Sequence, residues 1–464
     1  MPSRRFIFIV MAFFITACAS APPITDSQAV DHMINIDRNG NFVPIIAGQR
    51  ISFASQENKR DQMIQEALKT KRSAALLEAS GLEGQWQSMQ AAIEQHAALH
   101  EGHPKLLLYI HGGLNTERHS IDRALTQYRR ILDDSDLYPV FINWRSGPID
   151  AYSRHLGRIR QGKKSNSAIV TAPVYLVSDL LASIGYAPKS WLDQGKHSWD
   201  STINREPDRW EDFEQSGYEI FFTGDTEGYR DTSRDIGWLI TSPVKIVTTP
   251  FTYTLAKPAW DIMMRRTSTV FFKPDEFHDR PPHPGAPTRG TGALTLFLER
   301  LIQFQNDTDV TIDITLVGHS MGAIIGNEIV RAFPELQITT IVHMASADSI
   351  RSLMEKTVPY LETHSGTEFY ALSLAPWNED RETSAGGATP SGSLLTWIDN
   401  SFTSPTTELD RRAGRWSNMR RSLHLIPKTV VKRMHFKIFG LGNGPQEHGD
   451  FDEYAYWQKS FYWK

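Results

Sequence analysis

Apolar residues along this chain gather in short unbroken runs: KLLLYIHGG (105–113), YPVFINW (138–144), IDITLVGHS (312–320), ITTIVHMAS (338–346), TEFYALSLA (367–375) and MHFKIFGL (434–441). Runs of this length without polar alternation suit strands covered on both faces. The stretches 120–132, 292–305 and 322–333 between them have helical spacing. The pattern predicts an α/β core, a mostly parallel sheet covered by helices on both faces, over 105–144 and 291–464.

Outside that core the pattern changes. In HMINIDRNGNFVPII two apolar segments flank Asn39-Gly40, which predicts a type I′ hairpin because both positions tolerate positive φ. Asp37, Asn39 and Asn41 alternate as in a calcium loop, but that loop's Gly and its terminal Glu are missing. Residues 56–99 predict two helices separated near Gly81–Gly84, so 31–104 is read as a hairpin with helices. Residues 145–290, heavy in Pro, Trp and Arg, interrupt the alternation and are read as a cap-like insert. Its apolar patches, 168–187 and 236–264, contain proline and charge and do not suit a membrane span. Near the C-terminus Phe451, Tyr454, Trp457 and Phe461 can share one face of a helix.

Composition narrows the function classes. With 464 residues, 40% of them hydrophobic and 11% aromatic, the chain can bury a large core. Its 49 Lys plus Arg nearly balance 53 Asp plus Glu, and no long single-sign block offers a footprint for nucleic acid. The first twenty residues, MPSRRFIFIVMAFFITACAS, place a basic start before an apolar run of ten, Phe6 to Ile15, too short to span a bilayer. Ile15-Thr16-Ala17-Cys18 resembles the lipobox of bacterial lipoproteins, and Cys18 is the only cysteine. The resemblance implies a signal peptide over 1–17, lipid on Cys18, and a tether over 18–30. With Ala19 and Ser20 following, it implies an envelope location at the outer membrane, facing the periplasm.

The chemistry centres on Gly318-His319-Ser320-Met321-Gly322, a G-x-S-x-G pattern between a strand and a helix. That context makes Ser320 a candidate nucleophile on a sharp elbow, where Gly318 and Gly322 relieve crowding. The helix N-terminus favours an anion, so the Met321 N–H is a candidate oxyanion donor. His111-Gly112-Gly113, after an earlier strand, supplies a second candidate in the Gly113 N–H, with Gly112 shaping the turn and His111 organising it. His448, in the loop after the last strand, is the candidate base. His424 and His435 are less well placed, one before that strand and the other within it. For the acid, Asp380 is placed first, then Glu379, both in Trp377-Asn378-Glu379-Asp380-Arg381-Glu382, with Asp348 as the rival one strand earlier.

This order, His-Gly-Gly, then Gly-x-Ser-x-Gly, then acid, then His, each after a strand, resembles the α/β-hydrolase superfamily. The resemblance implies a serine esterase, lipase, thioesterase or amidase that works through an acyl-enzyme on Ser320, without a metal or organic cofactor. The expected partners are an acyl-containing small molecule or lipid and, through the anchor, a membrane. The competing expectations are a non-catalytic envelope module of the same fold and acyl transfer to an acceptor other than water.

Overall fold

The computed structural model describes residues 28–44, 74–100, 102–113, 115, 117–147, 159–160, 163–164, 217–224, 257–273, 276, 289–307, 311–382, 392–403 and 405–464. The signal peptide, Cys18 and most of the tether lie outside these residues, as does most of the 145–290 insert. No described helix is long and apolar enough to cross a membrane.

The chain is α/β. Among the described residues the strands are β1 (Met33–Ile36), β2 (Lys105–Ile110), β3 (Tyr138–Trp144), β4 (Ile159–Arg160), β5 (Lys163–Lys164), β6 (Glu219–Thr223), β7 (Asp313–His319), β8 (Thr340–Met344), β9 (Glu368–Leu374) and β10 (Met434–Phe439). Eight of them form one parallel sheet in the order β1-β3-β2-β7-β8-β9-β10-β6, while β4 and β5 make a separate antiparallel ribbon. Six of the sheet strands fall within the apolar runs, since such runs are stable only where both faces are covered.

The chain divides into two compact units. The first contains residues 1–151, 263–316 and 332–338. In it β3 pairs with β1 (Met33↔Phe141) and with β2 (Leu106↔Tyr138). Its helices are α1 (Ala74–Leu99), α2 (Glu117–Asp134), the second half of α3 (257–269) and α4 (Ala293–Asp307). Trp86 of α1 meets Phe297 and Phe304 of α4 edge-on, with centroids 5.8 and 5.9 Å apart. Burying an aromatic ring of this size contributes on the order of 2–3 kcal/mol.

The second unit contains residues 152–262, 317–331 and 339–464. It holds the end of β7, strands β8, β9, β10 and β6, and α5 (Gly322–Ala332). Its further helices are α6 (350–363), α7 (Pro376–Arg381), α8 (394–402) and α9 (Trp416–Ser422). β9 pairs with β8 and with β10, and β10 pairs with β6.

Four expectations are corrected. The Asn39-Gly40 turn is not type I′: Gly40 has φ +76°, but Asn39 does not share a positive φ. The Asp37 carboxylate takes over, accepting from the Asn39 and Asn41 N–H groups at 2.8 Å each, so an Asx turn closes the Ile36–Phe42 bridge. Residues 74–99 form one helix through Gly81 and Gly84, since a glycine weakens a helix by about 1 kcal/mol without ending it; 56–73 lie outside the described residues. The segment after His448 is a 3₁₀ turn (Asp450–Glu453) and a short helix (Lys459–Tyr462), and Tyr454 is exposed. The insert is not wholly a cap, because it supplies β6 to the sheet and the helix 257–269.

Candidate active site

β7 ends at His319 and α5 begins at Gly322, so the chain turns within two residues. Ser320 takes φ +53°, a left-handed conformation that costs a non-glycine residue on the order of 1–3 kcal/mol. Its neighbours hold it there. The Ser320 N–H donates to Met344 O at 2.8 Å, and Ser320 O accepts from the Ala347 and Ala323 N–H groups at 3.0 and 3.2 Å. A Cβ on Gly318 would lie 2.7 Å from Ala323 N, so residue 318 has to be glycine for the strand and helix to meet. Met321 and Gly322 come before the first bonded N–H of the helix, and their N–H groups belong to the unsatisfied set at its start.

A second strained turn braces the first. Ala345, after β8, has φ +44°, and its N–H donates to Leu372 O at 2.8 Å. A Cβ on Gly414 would fall 2.2 Å from Ser346 N, so the segment 412–414 lies directly on this loop. Ala413 and Gly414 donate their N–H groups to Asp348 O and Ser346 O, and Arg412 Nη1 donates to Ala347 O at 2.9 Å.

His448 Nε2 lies 2.9 Å from Ser320 Oγ, and both residues are at most 5% exposed. Burial pushes the imidazole down to about 3, with His319 lowering it further and Asp452 raising it. The His448 main chain is held on both sides of its Cα. Its N–H donates to Glu382 Oε2 at 2.9 Å, and its carbonyl accepts from His319 Nε2 at 3.0 Å.

The candidate acids are placed as follows. Glu379 is buried against Arg415, whose Nε lies 3.1 Å from Glu379 Oε2. Asp348 accepts from Asn327 Nδ2 at 2.6 Å and from the Ser349 N–H at 2.8 Å, and Asn327 in turn accepts from Thr357 of α6. Neither is brought to His448. Asp380 lies on α7, and its side chain is outside the described residues. Among the described residues no carboxylate hydrogen-bonds His448 Nδ1. The carboxylate bonded to the His448 main chain is Glu382, the last residue of WNEDRE, and three carboxylates within four positions gave no pattern to select it. His424 and His435 are also elsewhere: His424 lies in the 3₁₀ turn Leu423–Leu425, and His435 stacks on Tyr370 and pairs with Glu368.

Burial raises the Glu382 carboxyl to about 7; the bond from the His448 N–H opposes this, and Glu447 and Asp450 add to it. Relative to the unfolded chain, the folded protein therefore holds an extra proton between about pH 4.5 and 7. This stabilising contribution is complete below 4.5 and is lost as pH rises through 7. Glu382→Gln keeps the acceptor and removes the charge. Against the variant, wild type should match at pH 4 and lose about 3 kcal/mol by pH 8 in denaturant titrations.

In the first unit, His111 stacks on Trp144 and is engaged at both ring nitrogens. Nδ1 donates to Gly112 O at 2.8 Å, and Nε2 accepts from the Trp144 N–H at 3.2 Å. Ser146 Oγ and Asn115 Nδ2 also reach Gly112 O, at 3.2 and 3.4 Å. Gly112 O and the Gly113 N–H belong to one trans peptide and point in opposite directions. Pinning the carbonyl therefore fixes the direction of the Gly113 N–H. Among the described residues no group of three His, Cys, Asp or Glu is arranged to hold a metal ion. No protein-family model, curated protein or solved structure matches the chain.

Proposed function

We propose that this protein is a lipid-anchored serine hydrolase that cleaves an acyl ester through an acyl-enzyme on Ser320. The reading is carried by the 2.9 Å contact of His448 Nε2 with the hydroxyl of a left-handed serine between strand and helix. A serine hydroxyl is a weak nucleophile until a base takes its proton, and this pair is the minimum arrangement that does so.

In the proposed cycle Ser320 Oγ attacks the ester carbonyl carbon as its proton passes to His448 Nε2. The carbonyl π electrons move to oxygen, and the resulting oxyanion is received by the N–H of Met321 at the start of α5. The imidazolium gives its proton to the departing alkoxide, leaving the acyl group on Ser320. Water, deprotonated by the same imidazole, attacks the acyl-enzyme and releases the carboxylic acid with Ser320 restored. The near-complete burial of both residues excludes bulk water, which strengthens the field of the oriented N–H groups.

The test is covalent labelling. A fluorophosphonate probe should label the purified wild-type protein, and absence of label would reject the proposal. The anchor is tested separately: Cys18→Ala should release the protein from the membrane fraction, and unchanged retention would reject the lipobox.

A further inference from the structure

The residue before the nucleophile has no part in the acyl-transfer steps, yet it is buried and both its ring nitrogens face polar atoms. His319 is the last residue of β7. Its Nε2 lies 3.0 Å from the His448 carbonyl, and since a carbonyl only accepts, Nε2 carries a hydrogen. Its Nδ1 lies 3.2 Å from Asp452 Oδ2, within ion-pair distance though off the angle of a hydrogen bond. Both side chains are at most 5% exposed.

We infer that His319, paired with Asp452, is a positioning residue that holds the general base by its main chain. The inference rests on the hydrolase reading. Glu382 takes the His448 N–H and His319 takes the carbonyl, so the peptides on both sides of the base are fixed. The imidazole is thereby aimed at Ser320 without a described carboxylate on its Nδ1. Asp452 lies in the 3₁₀ turn that begins two residues after His448, so the segment after β10 supplies both the base and the anchor of its holder. The whole device is local: the end of β7 provides nucleophile and holder, and the loop after β10 provides base and counter-charge.

The ionisable groups facing His448 among the described residues are His319 from β7, Asp452 from the following turn and Glu382 from the end of α7, with Glu447 and Asp450 facing Glu382. His319 and Asp452 act on the base with opposite sign. Replacing His319 removes the influence that lowers His448 and keeps that of Asp452, which favours the imidazolium, whereas neutralising Asp452 disfavours it.

The experiment measures the second-order rate of fluorophosphonate labelling from pH 3 to pH 8 in wild type, His319→Leu, His319→Gln and Asp452→Asn, with Ser320→Ala as control. Leu removes the donor and should slow labelling about 10- to 100-fold, the scale expected when a reacting group is displaced by about 1 Å. Gln can place an amide N–H near the former Nε2 and should recover the rate to within about threefold of wild type at the plateau. The acid limb should move to higher pH in His319→Gln and to lower pH in Asp452→Asn. If the Leu variant does not fold, the opposite shifts of the Gln and Asn variants decide the question. Wild-type rates and an unmoved limb in both would overturn the inference while leaving the hydrolase reading standing. Absence of label on wild type would remove both.

Discussion

His448→Ala should slow fluorophosphonate labelling of Ser320 by about a thousandfold or more, and Ser320→Ala should abolish it. The expected loss is large because no described side chain can stand in. His319, the other imidazole beside the serine, has its nitrogens against the His448 carbonyl and Asp452. The pH dependence is equally specific. Neutral imidazole is the competent form, and burial lowers His448 from 6.5 to about 3. Labelling should therefore persist at pH 5, where an ordinary imidazole would be mostly protonated. A rate that halves near pH 6.5 would contradict the buried environment described here; a His448→Ala rate within tenfold of wild type would remove His448 from its assigned role.

Arg415→Met should destabilise the protein by about 3–5 kcal/mol, read as a fall in the denaturation midpoint. Arg415 Nε lies 3.1 Å from Glu379 Oε2 and its Nη1 lies 3.3 Å from Asp399 Oδ2, with all three side chains buried. Asp399 is also bonded by the Arg412 N–H at 3.0 Å and by Asn418 Nδ2 at 2.7 Å. Methionine fills much of the volume but leaves two carboxylates where one full counter-charge has gone. Removing one partner of a buried pair costs more than the pair contributed, because the remaining charge stays desolvated. Glu379→Gln in the Arg415→Met background should therefore recover part of the loss. A single variant within about 1 kcal/mol of wild type would show that water reaches the cluster.

Six of the sheet strands were legible to within three residues because a parallel sheet covered on both faces favours apolar runs, and YPVFINW is buried from end to end, whereas β6 lay in the segment read as an insert. The nucleophile turn was legible too, because Gly318 answers a steric requirement that sequence records directly. What sequence obscured was decided by side chains acting at a distance or by weak local preferences. The turn at Asn39-Gly40 was governed by the Asp37 carboxylate, and Gly81 and Gly84 did not outweigh the helix around them. Phe451, Tyr454, Trp457 and Phe461 have helical spacing, but an aromatic cluster satisfies the same spacing: Phe451 packs on Phe439, and Phe461 stacks on Phe439 and Tyr454. Glu379 and Glu382 are three positions apart, and only the fold shows that one meets Arg415 and the other His448.

The edge strand β6 bears on how the molecule is made. Its neighbour in the sheet is β10, through pairs from His435↔Glu219 to Phe439↔Thr223. β6 leaves the ribosome well before β10. Until then EIFFT lacks its ladder with β10, and closing so long a loop makes that pairing slow. A chain stalled or truncated before Met434 would present EIFFT without this partner, an arrangement that favours association with neighbouring chains.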